Sequence, residues 1–192
     1  NLYCDSAGPN DTWFDSDLTG TAALDIAALE AALSTWATYS VDANDEPVSI
    51  EGAHLVVPPA LEITAKKILN TIEIQDTTAT NHNIKYNNFL KNQLKLSVDP
   101  YIPIIATTNG NTSWFLFADP GNGRPAAEVG FLRGHTSPEI FIKSPNASRA
   151  GGGTVNAMDG DFDTDSIQYK VRHVIGGTML DNKMAYGSDG SA

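Results

Sequence analysis

From position 113 to position 186 the chain is a succession of apolar blocks of strand length, separated by glycine, proline and polar residues. The blocks lie at 113–118, 126–132, 139–142, 166–175 and 179–186, and they are rich in aromatic and β-branched residues. That pattern specifies strands, and strands must bury an apolar face against a second layer. We expect 113–118 to be an apolar strand, and 126–132 and 139–142 to be partners across a polar connection. Residues 166–175 read as the longest strand, with Ile167, Tyr169, Val171 and His173 on one face. Gly176-Gly177 permits a bend or bulge, and 179–186 returns as the final strand. These blocks carry almost no residues suited to catalysis.

The first part of the chain mixes helix and strand, which makes the fold class α+β. Residues 1–20 are turn-rich. Asp25 can cap a helix whose Ile26, Leu29, Leu33 and Trp36 recur on one face, and which frays near 38–40. Ala53-His54-Leu55-Val56-Val57 reads as a short buried strand stopped by Pro58-Pro59. Pro59 suits the first turn of a second helix, where its missing N–H is not needed. Glu62 near the start and Lys66 and Lys67 toward the end suit the helix dipole, and Leu61, Ala65, Ile68 and Leu69 form the buried face. Residues 75–93 are polar and asparagine-rich and read as a long exposed loop, with a helical turn at 86–90. Residues 94–98 alternate as a strand does, and 102–105 read as a short extended piece.

Twelve Lys and Arg stand against 23 Asp and Glu, a net charge of −11. Such a balance favours solubility and disfavours tight nucleic-acid binding through a broad basic face. No apolar run approaches the length that spans a bilayer, so no membrane partner is expected. Cys4 is the single cysteine, which excludes an internal disulfide and fits a reducing compartment. Its neighbour Asp5 raises a thiol pKa, so Cys4 is a poor nucleophile.

The remaining candidates for chemistry each have a plainer reading. Asp159-Gly160-Asp161-Phe162-Asp163-Thr164-Asp165 alternates acids as a calcium loop does, but Thr164 and Lys170 stand where an EF-hand needs glycine and a carboxylate. We read a solvated acidic hairpin, with a weak surface metal site as the alternative. Gly121-Asn122-Gly123 and Gly151-Gly152-Gly153 lack the residues of a phosphate cradle and read as flexible loops. His54, His82, His135 and His173 are scattered, with no helical i, i+4 pair. His173, beside Arg172, suits a structural or subunit contact. Trp114, Phe115 and Phe117 form a core stripe rather than a ligand box. Asn10, Asn111 and Asn146 sit in glycosylation-type triplets, which carry little meaning without a secretory signal. We therefore expect no catalytic, cofactor-binding or metal site and no cofactor: the chain is not expected to be an enzyme.

The order of the blocks resembles the C-terminal part of tailed-bacteriophage major capsid proteins, especially Mu-type major head subunits. The blocks are Trp114-Phe115-Leu116-Phe117-Ala118-Asp119-Pro120, Glu128-Val129-Gly130-Phe131, Tyr169-Lys170-Val171-Arg172-His173 and Asp181-Asn182-Lys183-Met184-Ala185-Tyr186. Leu24-Asp25-Ile26-Ala27-Ala28-Leu29, Val56-Val57-Pro58-Pro59-Ala60-Leu61 and Leu96-Ser97-Val98-Asp99-Pro100 extend the likeness over most of the chain. The resemblance implies the Hong Kong-type capsid fold. Residues 1–112 would be mostly axial domain, and 113–192 the axial edge and the C-terminal strands of the peripheral domain.

The family's N-terminal arm, extended loop and spine helix have no counterpart in these residues. We therefore expect a portion of a longer subunit, or a second chain that completes it, because a peripheral sheet without its spine helix leaves an apolar face uncovered. The implied function is a structural subunit of an icosahedral phage head. It would self-assemble into pentamers and hexamers that enclose double-stranded DNA without specific recognition. Scaffold, portal and decoration proteins are the implied partners, the virion capsid the location, and the bacterial cytoplasm the place of assembly. The alternatives are an encapsulin-like protein compartment and an acidic calcium-binding β-rich domain.

Overall fold

The computed structural model describes residues 3–10, 13–39, 53–76, 84–122 and 124–192. In chain order the elements are β1 (Thr19–Gly20), α1 (Ile26–Tyr39), β2 (Ala53–Val57), α2 (Glu62–Asn70), β3 (Glu73–Asp76), β4 (Ile84–Asn87), β5 (Leu94–Val98), α3 (Ile102–Ile105), β6 (Trp114–Ala118), β7 (Ala127–Phe131), β8 (Glu139–Ile142), β9 (Tyr169–Arg172), β10 (Ile175–Met179) and β11 (Ala185–Ser188). They divide into two compact units, Asn1–Glu128 with Thr178–Ala192, and Val129–Gly177. The fold is α+β, as the sequence pattern predicts.

The first unit is organised by a five-stranded mixed sheet in the order β1-β11-β6-β2-β5. β6 lies antiparallel between β11 and β2, and β2 runs parallel to β5. The register puts Leu55, Leu116 and Tyr186 abreast on one face, and Val56, Phe115 and Gly187 on the other. Both faces are covered, so Trp114, Phe115 and Leu116 are all fully buried and β6 shows no alternation. The N-terminal segment covers the second face. Tyr3 meets Phe115 and Phe117 edge-on at 5.0 and 5.4 Å, and Phe14 stacks on Phe115 at 6.1 Å. Gly187 lets this segment approach closely, since a Cβ there would lie 3.0 Å from Pro9 and 3.2 Å from Phe14.

The two helices follow their signals. The Asp25 carboxylate accepts from the Ala28 N–H at 2.6 Å, which caps α1. Leu29, Ala32 and Trp36 are buried beneath it, with Ile26 and Leu33 packed alongside. The Trp36 indole N–H donates to the Lys183 carbonyl at 2.8 Å, and that of Trp114 to the Ala22 carbonyl at 3.0 Å, so both buried indoles are satisfied. Pro59 opens a 3-10 turn that runs directly into α2. There Ala65, Ile68 and Leu69 are buried, Leu61 is half-buried, and Glu62 pairs with Lys66.

Two expectations for this unit fail. Residues 75–93 are not one long loop: β3 and β4 form an antiparallel hairpin with Glu73 opposite Asn87 and Ile74 opposite Tyr86. Residues 77–83, with His82, lie outside the described residues. The hairpin is anchored by buried Asn88, whose amide donates to the carbonyls of Ile68 (2.6 Å) and Thr71 (3.0 Å) and accepts from the Leu90 N–H (3.0 Å). Its polar composition hid it, since only Ile72, Ile74, Ile84 and Tyr86 carry the strand period. The helical turn expected at 86–90 begins after β4, as turns over 89–93. Residues 102–105 are not extended either but form the single turn α3. Asp99 accepts the Tyr101 N–H at 2.9 Å, and Pro103 sits in the first turn, where its lost N–H costs nothing.

The second unit is a long out-and-back ribbon. β8 pairs with β9, and β10 pairs with β7; the chain leaves the first unit within β7 and returns within β10. The expected pairing of 126–132 with 139–142 is therefore wrong. The two strands follow each other outward, and each pairs with a strand on the return path. Residues 166–175 are not one strand. β9 ends at Arg172, the chain breaks at His173-Val174, and Gly176-Gly177 lie inside β10 rather than at a bend. The outgoing path has its own break at 132–138, where Gly134 takes φ 86°. The final segment also differs: β10 stops at Met179, a 3-10 turn spans Asn182–Met184, and the last strand is Ala185–Ser188.

Candidate functional site

The second unit presents two chemically different faces, which follow from the register of β8 and β9. Glu139 lies opposite Arg172, Ile140 opposite Val171, Phe141 opposite Lys170, and Ile142 opposite Tyr169. Because side chains alternate along a strand, Glu139, Phe141, Lys170 and Arg172 share one face. Ile140, Ile142, Tyr169 and Val171 share the other.

The first face is a charged network. One Glu139 oxygen accepts from Arg172 Nη2 at 2.6 Å and Nε at 3.1 Å, and the other meets His135 Nδ1 at 2.8 Å. The Arg172 hydrogen bonds chiefly, and then that of His135, hold the Glu139 carboxyl below the usual glutamate range. Lys170 and Arg172 lie 5.0 and 5.3 Å from the Phe141 ring centre. The second face has no charge at all, and its four side chains remain 70 % (Ile140), 64 % (Val171), 57 % (Tyr169) and 43 % (Ile142) exposed.

The first unit carries an apolar groove of about 350 Å³ on the second face of its sheet, lined by Tyr3, Val56, Phe117, Pro120, Pro125 and Ala126, with His54 and Ser97 at its polar edge. The Tyr3 hydroxyl donates to Asp99. Burial, followed by that carboxylate, pushes the phenol's pKa well above its usual value, so it stays neutral. Cys4 is buried beside it, and burial, with the Asp5 charge next, raises its thiol to about 11. At neutral pH it is a protonated apolar side chain, not a nucleophile.

The acidic run 159–165 is engaged in local turns. Asp159 closes a capping box with Asn156 and pairs with Arg149 at 3.0 Å. Asp161 accepts from the Thr164 hydroxyl (2.8 Å), the Thr164 N–H (3.0 Å) and the Ser166 N–H (3.4 Å), and these bonds, the Thr164 hydroxyl first, lower its pKa. Among the described residues no three His, Cys, Asp or Glu side chains converge as a metal site. The described histidines do not come together: His54 edges the groove, His135 joins the Glu139 network, and His173 lies 5.8 Å from the Phe131 ring. Trp114 and Phe115 are core, as read, while Phe117 is half-buried in the groove wall. The part of His135 in an ion-pair network escaped the sequence reading. Its i, i+4 spacing to Glu139 is the one available signal, and it lies in a turn rather than a helix. Among the described residues no helix is long and apolar enough to cross a membrane.

Glu139, Asp15, Asp159 and Asp161 are thus engaged in ion pairs and local hydrogen bonds. A family model described as phage capsid protein matches residues 5–186. The chain belongs to that phage capsid protein family, and its role is structural, in the capsid of the virion. No curated protein matches its sequence.

Proposed function

We propose that this capsid protein is a major head subunit of the tailed-phage, Mu-like type with the Hong Kong-type fold. It self-assembles into pentamers and hexamers of an icosahedral head that encloses double-stranded DNA without specific recognition. The observation that carries the reading is the family match across 5–186. In this reading residues 1–112 are mostly axial domain, and 113–192 supply the axial edge and the C-terminal strands of the peripheral domain.

Two physical properties support it. A net charge of −11 disfavours tight binding of the subunit to packaged DNA. The single, buried, protonated cysteine needs no oxidising compartment, which agrees with assembly in the bacterial cytoplasm. Contacts of the obligate kind bury on the order of 2,000 Å² or more. Scaffold, portal and decoration proteins are the proposed further partners.

The test is particle formation by the purified protein, read by electron microscopy and light scattering, with the nucleic acid content of the particles measured. Closed shells that hold double-stranded DNA when made in infected cells are expected. A chain that remains monomeric at every concentration, or shells that hold only protein, overturns the reading.

A further inference from the structure

We propose that the charged face of the β8–β9 ribbon is a carboxylate-binding surface, and that it takes acidic side chains from the first unit of a second copy of this chain. The proposal rests on the capsid reading and names the surface through which copies join. In that reading the rest of the subunit covers the opposite, apolar face, so the charged face is the one a neighbour meets.

Three observations lead to it. First, the face has the donors an anion needs. The Lys143 N–H donates to the Gln168 carbonyl at 3.0 Å, which extends the register by one pair and puts Lys143 and Gln168 on the side of Phe141 and Lys170. A depression of about 350 Å³ is lined by Phe141, Ile142, Lys143, Gln168, Tyr169 and Lys170. Two ammonium groups and a side-chain amide can all donate to a carboxylate.

Second, the cations are available and already positioned. Glu139 occupies Arg172, but neither Lys170 nor Lys143 has a carboxylate within ion-pair distance among the described residues. Asp161 is near enough to feel the Lys143 charge, yet its carboxylate accepts from Thr164 and Ser166. Lys170 and Arg172 both lie against the Phe141 ring, at 5.0 and 5.3 Å from its centre. Those contacts hold the two heads side by side before an anion arrives, which lowers the ordering cost of binding.

Third, the chain itself carries the complementary charge. Residues 129–177 contain five basic residues (Arg133, Lys143, Arg149, Lys170, Arg172) and five acidic ones (Glu139, Asp159, Asp161, Asp163, Asp165). The segment is therefore neutral, and the whole −11 lies on 1–128 and 178–192. Contact between two first units is opposed by like charge, whereas a lysine-bearing ribbon against a first unit is favoured. Duplex DNA is anionic too, but it is repelled by the −11 to which these carboxylates belong. Ribbon against first unit is also a heterologous contact, which can propagate around a ring.

The test uses the whole chain. Isotopically light and heavy copies are mixed and treated with a water-soluble carbodiimide, which joins a lysine to a carboxylate it touches. Cross-links between copies are expected from Lys143 and Lys170 to Asp or Glu of residues 1–128 or 178–192. Lys143→Gln with Lys170→Gln is expected to melt as the wild type does. At low salt it should need about tenfold higher concentration to assemble in sedimentation velocity, and at high salt the difference should shrink. Lys170→Arg keeps the charge and should assemble as the wild type does. A labelled DNA duplex titrated in parallel should not bind through these lysines. Wild-type assembly by the double variant at low salt, cross-links confined to one copy, or duplex binding that the double variant loses overturns the docking and leaves the capsid reading standing. A wild type that never leaves the monomer overturns both.

Discussion

β6 in the first unit, Trp-Phe-Leu-Phe-Ala, and β8 in the second, Glu-Ile-Phe-Ile, are both largely apolar strands. β6 lies between β2 and β11, with α1 and the N-terminal segment contributing to the same core, and Trp114, Phe115 and Leu116 are inaccessible to water. β8 has one neighbouring strand among the described residues, and Ile140 is 70 % exposed. Apolar strands thus end in two states in one chain: a core closed to water, and a face that stays exposed among the described residues.

If that contrast is right, stability should respond to substitutions in the first unit far more than in the ribbon. Trp114→Ala removes a fully buried indole and its bond to the Ala22 carbonyl. It should cost about 3–5 kcal/mol in chemical denaturation and abolish assembly. Wild-type particle yields from this variant would remove Trp114 from the core on which assembly depends. Asn88→Ala leaves the Ile68 and Thr71 carbonyls and the Leu90 N–H without their side-chain partner. A loss of about 1–3 kcal/mol is expected, with faster hydrogen exchange in β3 and β4; a smaller loss with unchanged exchange would mean the hairpin holds without its anchor.

A smaller effect is expected where the two ends of the first unit are tied. Lys183 Nζ donates to Asp15 at 2.6 Å, and that bond, ahead of the Asp17 N–H, lowers the Asp15 pKa. The unfolded chain then binds the proton more readily, so this contribution is fully present above the unfolded value of about 4 and is lost as pH falls through the lower folded value. Asp15→Asn should cost less than about 1 kcal/mol at neutral pH and flatten the acid limb of the melting curve. An unchanged acid limb would show that the pair contributes nothing. The smallest effect belongs to the ribbon. Ile142→Thr should stay within about 0.5 kcal/mol of wild type, as surface changes do. A loss of several kcal/mol would mean that the subunit itself covers this face.

The sequence was informative where a local rule decides the outcome. The Asp25 cap, the turn opened by Pro59, the buried stripes of α1 and α2, and strands β2, β5 and β6 are all legible, because caps, prolines and periodicity act within a few residues. It was misleading at 102–105, where an apolar run of strand-forming residues makes one helical turn just after Asp99 accepts the Tyr101 N–H, and at 75–93, where a buried asparagine rather than an apolar stripe anchors a hairpin.

By itself, then, the sequence determined an α+β chain with strand-forming blocks, an acidic surface, an unreactive cysteine and a likeness to capsid proteins, since each depends on composition, order or near neighbours. Only the tertiary structure decided which blocks pair. β6 joins β2 and β11, which lie far apart in the chain, whereas β8 finds its partner in β9 on the return path and keeps one face exposed among the described residues. Pairing across such separations is settled by which apolar faces are covered in three dimensions, and alternation along a strand is the same whether the layer above it is protein or water.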